Sequence, residues 1–218
     1  MPELKLYFAP RACSRVTMTA LIKTGLDFDT QVINIFKGEQ YSPEYRKIHR
    51  SGKVPALVVD GVPVTENASI LSYIDAIAPD AGVLPKTDSL LEKATQRSDL
   101  VWCSATIHPM VRQIRMPMRF TDGDTAGVYA VGTKYLKDTL AGVEQRLSEG
   151  KWWYGDDWSI VDVYLNWCVM TAASADFPLH EFPAVAEHCK RVPELEPFQK
   201  AVKVEDHAMA EAGIVLPG

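Results

Sequence analysis

Cys13 and Ser14 stand side by side in the stretch LYFAPRACSRVTMTALIKTG, residues 6–25, just past a proline that closes a short apolar run. The residues after them read as a helix, so a thiol and a hydroxyl sit where a strand hands over to a helix N-terminus. That is a favourable place for an anion. The unpaired N–H groups and the dipole of a helix stabilise negative charge, and a thiol there titrates below its usual value of about 8.5. The plain alternative is a small buried cysteine.

Two further stretches carry ligand-type groups. In KVPALVVDGVPVTE, residues 53–66, Pro55 opens a strand where it has no N–H to give to a ladder. A trans proline at a sheet edge fits this position. A cis Val54–Pro55 bond fits it too, and would turn the N–H and C=O of Val54 away from the sheet, toward an extended ligand. The next residues, Thr65-Glu66-Asn67-Ala68-Ser69, place Asn67 at the head of a helix. Its amide and the free N–H groups there suit a carboxylate, and Glu66 suits an amine. Together they match the amino-acid end of a zwitterionic ligand; ordinary helix capping is the alternative.

Later in the chain, His108, Arg112, Arg115 and Arg119 follow at spacings of 4, 3 and 4. They form one stripe if the helix continues, either attracting an anion or simply facing solvent. Met110, Met116, Met118 and Phe120 interleave with them and suit either an apolar pocket or core. Ser159 followed by Asp162 reads as a capping box that starts an apolar helix. The four cysteines, Cys13, Cys103, Cys168 and Cys189, form no CxxC pair. They point to neither a metal site nor a disulfide framework.

These residues need elements to hold them. The first 79 residues alternate. A strand over LKLYFA is followed by a helix stopped by Gly25, a strand over DFDTQVINI and a short helix over SPEYRKIHRSG. A hairpin turning at Asp60-Gly61 and a helix ended by Pro79 complete the set. The order is β-α-β-α-β-β-α. Residues 80–88 are rich in turn formers and read as a linker. Residues 89–218 read as a second, all-helical domain, with its first long helix interrupted near Pro109 or Pro117.

The 218 residues are ample for a packed core, and 47% hydrophobic with 23% charged residues is ordinary for a globular protein. A net charge of −5 argues against nucleic acid and anionic membranes as partners. No apolar run approaches the roughly 18–20 residues of a membrane span, and the N-terminus lacks a signal-peptide pattern, so a cytoplasmic protein is expected.

Taken together, FAPRACS, KVPAL, TENASI, the turn-rich linker and GDDWSIVDVYL resemble the glutathione S-transferase superfamily, in order and over essentially the whole chain. The resemblance implies a thioredoxin-like N-terminal domain and a helical C-terminal domain. It implies a homodimer that uses glutathione as co-substrate, without a metal, in the cleft between its domains. APRACS is similar to the cysteine turn of the bacterial beta-like classes, which places the catalytic residue on Cys13. Ser14 is the counterpart in serine-type and etherase-like members, and Tyr7 in tyrosine-type members. Strand alternation lets only one of Tyr7 and Phe8 face the ligand. The preference runs Cys13, then Ser14, then Tyr7.

By the same resemblance, Val54 and Pro55 supply the backbone contact to glutathione, and Lys53 pairs with one of its carboxylates. Glu66 and Asn67 take the place of the family's Glu-Ser pair at the γ-glutamyl end. Asp99 corresponds to an acid that reaches across the dimer to the γ-glutamyl amine. His108, with Arg112 and Arg115, belongs to the acceptor side. The activity implied is glutathione transfer to a small electrophile, or thiol–disulfide or reductive chemistry through Cys13. A non-catalytic interaction or regulatory module of the same fold is the alternative. A thioredoxin-type reductase is disfavoured by the missing CxxC.

Overall fold

A computed structural model of the chain describes residues 1–215. Two compact units emerge: residues 1–86 together with the segment from Leu195 onward, and Thr87–Glu194.

The first unit is built on a four-stranded sheet in the order β2-β1-β3-β4. Strand β1 (Leu4–Phe8) pairs parallel with β2 (Asp29–Val32) and antiparallel with β3 (Ala56–Val59), which pairs antiparallel with β4 (Val62–Thr65). Along β1, Leu4, Leu6 and Phe8 are buried while Lys5 and Tyr7 are half-exposed, the period-2 pattern of a strand with one covered face. The hairpin turns at Asp60 and Gly61, both with positive φ (48° and 82°), as a two-residue primed turn requires. The Asp60 carboxylate also accepts the Glu3 N–H at 2.9 Å, tying the turn to the chain entering β1.

Helix α1 (Ser14–Thr24) ends where Gly25 takes a left-handed φ of 69° and donates its N–H to Ile22. Six consecutive residues of α1, from Val16 to Leu21, are buried, because α3 (Asn67–Ile77) and α9 (Glu196–Glu211) both pack on it. A helix covered on several sides loses its amphipathic stripe. The short α2 (Pro43–Ile48) begins with a Ser42 cap on the Tyr45 N–H and a proline in its first turn.

The sequence division put residues 89–218 in a single helical domain. In the structure α9 groups with the sheet unit instead. Its buried face packs on α1, and the two helices are tied by a pairing of single side chains distant in sequence, Arg15 with Glu205, which no local pattern announces.

The second unit contains α4 (Leu90–Trp102), α5 (His108–Arg115), α6 (Thr125–Glu149), α7 (Ile160–Ala173) and α8 (Pro183–Arg191). A π-helical turn, Cys103–Ile107, joins α4 to α5. Pro109 falls immediately after it, where the hydrogen-bond ladder is already shifted, and does not break the helix. The break comes at Met116, ahead of Pro117, so Arg119 lies beyond α5 and leaves the stripe.

Helix α7 runs through the middle of this unit and is buried along almost its whole length. Its capping box forms as the sequence predicts: Asp162 accepts the Ser159 N–H at 2.8 Å. The same carboxylate also accepts from the Trp153 N–H at 2.7 Å and bonds His188 on α8 at 2.9 Å, all out of contact with solvent.

Candidate functional site

The site in the first unit grows from the end of β1. After Phe8 the chain passes through Ala9 and Pro10 to Arg11, which adopts a left-handed φ of 58°, and Cys13 lands at the N-cap of α1. Cys13 makes no capping bond with its side chain. Its thiol donates instead to the Val54 carbonyl at 3.4 Å, and it is only 6% exposed. Cys13 therefore stands at the N-terminal end of a three-turn helix, with a backbone carbonyl as the acceptor of its thiol.

The Val54–Pro55 bond is cis, and Val54 precedes β3 without joining the ladder. Lys53, one residue earlier, is exposed. Its carbonyl accepts the Tyr45 hydroxyl at 2.7 Å. Burial pushes the Tyr45 phenol well above its usual range, and the Tyr7 phenol and the Cys13 thiol add to the shift, so this hydroxyl stays a donor. His49, one turn after Tyr45 on the same side of α2, stacks on its ring at 6.5 Å. Burial holds His49 below the ordinary imidazole range, against the opposing pull of the Glu66 carboxylate. Sequence reasoning passed over Tyr45 and His49. Their i, i+4 spacing just before KVPAL was the available signal.

Glu66 is exposed and takes φ 70°, a left-handed backbone held where β4 hands over to α3. Asn67, Ala68 and Ser69 follow as the first residues of α3, with N–H groups that have no intrahelical acceptor.

Two of the sequence expectations are corrected here. Ser14 is fully buried. Its hydroxyl donates to the Ala9 carbonyl at 2.9 Å and accepts the Ala9 N–H at 3.2 Å, so it staples the turn and is closed to a ligand. The Asn67 amide points inward. Its Oδ1 accepts the Thr17 hydroxyl at 2.5 Å and its Nδ2 donates to the Cys13 carbonyl at 3.1 Å. What remains at the head of α3 for a carboxylate is the backbone N–H groups and the exposed Ser69. Asp99, in the second unit, is half-exposed and engages one oxygen locally: Oδ2 accepts the Trp153 indole N–H at 2.9 Å and the Tyr154 hydroxyl at 2.7 Å. Burial, reinforced by that bond, pushes the Tyr154 phenol far up.

Tyr7 is half-buried, its ring tilted on Tyr45 at 5.8 Å, whereas Phe8 is the strand residue facing the core. Tyr7 thus borders the same cluster as Cys13 through Tyr45.

In the second unit, His108 gathers a polar cluster. Its Nε2 accepts from Arg112 Nε at 3.3 Å, which leaves Nδ1 to donate to the Tyr164 hydroxyl, also at 3.3 Å. Trp167 meets the imidazole edge-on at 4.6 Å. Tyr164 and Trp167, three apart on α7, were not anticipated. Arg115 is exposed and stands outside this cluster, and Met118 and Phe120 are 63% and 48% exposed rather than lining an enclosed pocket.

Among the described residues, no group of three or more His, Cys, Asp or Glu side chains could hold a metal ion. No helix among them is long and apolar enough to cross a membrane.

Residues 11–77, which span the Cys13 turn, the cis-proline and Glu66, match the family model for the glutathione S-transferase N-terminal domain. The chain is 29% identical over 209 residues to a maleylacetoacetate isomerase of Rattus norvegicus, with 91% of this chain and 90% of that one covered. Among solved structures it is similar to a glutathione S-transferase from Xylella fastidiosa, with a TM-score of 0.84 and 26% identity over 94% of this chain and 99% of that one. A sphingomonad glutathione S-transferase complexed with glutathione is similar at TM-score 0.80 and 26% identity, covering 93% and 98%. A thioredoxin-like sheet unit with a cysteine at the head of its first helix, and a helical second unit, define the class. Its N-terminal unit matches the glutathione S-transferase N-terminal domain, and the chain as a whole is similar to glutathione S-transferases in sequence and fold.

Proposed function

We propose that this protein binds glutathione and activates its thiol for conjugation to a small electrophile or for disulfide exchange at Cys13. The observation that carries the reading is the placement of Cys13 at the N-terminus of α1, its thiol 3.4 Å from the Val54 carbonyl. An extended tripeptide lies along the Val54 backbone. Its γ-glutamyl amine pairs with Glu66, and its γ-glutamyl carboxylate takes the free N–H groups at the head of α3. Lys53, exposed beside Val54, pairs with its other carboxylate. The cysteinyl sulfur then falls at the α1 N-terminus, where the helix dipole favours a thiolate.

Two reactions follow from that placement. In conjugation the glutathione thiolate attacks an electrophilic carbon, forming the C–S bond as the leaving group departs or a proton adds. In exchange the Cys13 thiolate attacks a glutathione disulfide, forming the Cys13–glutathione S–S bond and releasing glutathione thiolate. The isomerase name carried by the rat relative puts isomerisation among the reactions to screen. The protein works as a cytoplasmic homodimer.

Calorimetric titration with reduced glutathione tests the reading. Saturable binding of one glutathione per chain, weakened by Glu66→Ala, is expected. No binding at millimolar concentration overturns it.

A further inference from the structure

The Cys13 turn is held from both sides by one buried carboxylate that comes from the far end of the chain. Glu205 on α9 is closed to solvent. Its Oε2 accepts the backbone N–H of Arg11 at 3.0 Å, two residues before Cys13. The same oxygen accepts Nε of Arg15 at 2.9 Å and also its Nη2, two residues after Cys13. Arg15 in turn lies over the Phe198 ring of α9 at 5.6 Å, so the guanidinium is stacked as well as paired. Arg11 is the residue with the left-handed backbone that lets the turn reach α1. A non-glycine residue keeps that conformation only when its surroundings over-determine it. The Glu205 bond to its N–H is one such determinant.

We propose that Glu205 is a positioning residue for the reactive thiol: acting through Arg11 and Arg15, it fixes the turn so that the Cys13 sulfur stays against Val54. It touches neither the sulfur nor a ligand. The proposal rests on Cys13 being the reactive group of the glutathione site, and it makes α9 a functional part of that site. A thiol displaced by about 1 Å from its productive position is enough to cost a large factor in rate.

The test uses the double variant Arg15→Met/Glu205→Leu. Replacing both members of a buried ion pair by apolar side chains of similar size leaves no buried charge uncompensated and is tolerated far better than removing one. It still deprives the Arg11 N–H of its acceptor. Two reagents are applied to the full chain, and each cysteine is followed by peptide mass. Iodoacetamide is small, neutral and independent of any binding site. Glutathione disulfide needs the thiol in register with the bound tripeptide. In the double variant, Cys13 is expected to alkylate about tenfold faster and to form the glutathione mixed disulfide about tenfold more slowly than in the unsubstituted chain. Cys103, Cys168 and Cys189, all buried, report on global unfolding and are expected to stay unreactive. Glu205→Gln alone retains an oxygen for the Arg11 N–H and is expected to react at close to the unsubstituted rates.

Unchanged Cys13 rates with both reagents in the double variant overturn the proposal. So does faster alkylation that appears only together with reaction at the three buried cysteines. If the unsubstituted chain takes up no glutathione at all, the glutathione reading fails, and the positioning role is then judged by iodoacetamide alone.

Discussion

The amide oxygen of Asn67 accepts a 2.5 Å hydrogen bond from the hydroxyl of Thr17, and both side chains are buried. With the second bond, from Asn67 Nδ2 to the Cys13 carbonyl, one amide stitches the head of α3 to the first turn of α1. Asn67→Ala leaves the Thr17 hydroxyl and the Cys13 carbonyl without these partners in a dry setting. A loss of about 2–3 kcal/mol is expected, read from urea unfolding curves. A loss below about 0.5 kcal/mol means that the amide does not brace the turn.

Ser14 and Cys13, adjacent in sequence, are expected to separate cleanly. Ser14→Ala removes two hydrogen bonds to Ala9 and lowers the melting temperature, yet Cys13 still takes up glutathione from its disulfide. Cys13→Ala keeps the fold and gains no glutathione mass. Intact mass after incubation with glutathione disulfide, set beside thermal melts, checks both. A glutathione adduct on Cys13→Ala would move the reactive thiol elsewhere.

His49 makes stability depend on pH. Its folded-state pKa lies below the unfolded value of about 6.5, because burial disfavours the imidazolium. The unfolded chain then binds the proton first as pH falls. The contribution is fully present above about pH 6.5 and is lost as pH drops through the folded-state value. His49→Gln is expected to flatten this part of the profile. Urea unfolding at neutral and mildly acid pH shows it as a smaller loss in the variant, and parallel profiles refute it.

Asp99, half-exposed, holds an indole N–H and a phenol with one oxygen, which makes it a brace of the helical unit. Asp99→Ala is expected to cost about 2–4 kcal/mol and to shift tryptophan emission, since Trp153 stacks on Trp102 at 5.4 Å. Glutathione affinity per folded chain is expected to stay unchanged in calorimetry. A clear weakening would return Asp99 to the ligand.

Much of the fold was legible because it obeys rules that act over a few residues. Asp60-Gly61 turns the hairpin, Gly25 stops α1, Ser159 and Asp162 cap α7, and alternation sends Phe8 inward. Each is decided by its neighbours in sequence. The turn bearing Cys13 was legible for the same reason. What local pattern could not show is which way a polar side chain faces once distant segments meet. Asn67 and Asp99 have the right chemistry for a ligand, and both bond partners 50 or more residues away, Thr17 for one and Trp153 for the other. Glu205 is the extreme instance, an ordinary acid in a helical stretch until α9 is laid against α1.

Arg11 and Glu205 are 194 positions apart. On a ribosome the turn is made well before its anchoring carboxylate, an interval of about 10–40 s at the usual 5–20 residues per second. A nascent chain halted before α9 carries the complete sheet and its cysteine without the group that locks the turn. The order of translation thereby acts as a timer, withholding the finished thiol site until α9 has been made.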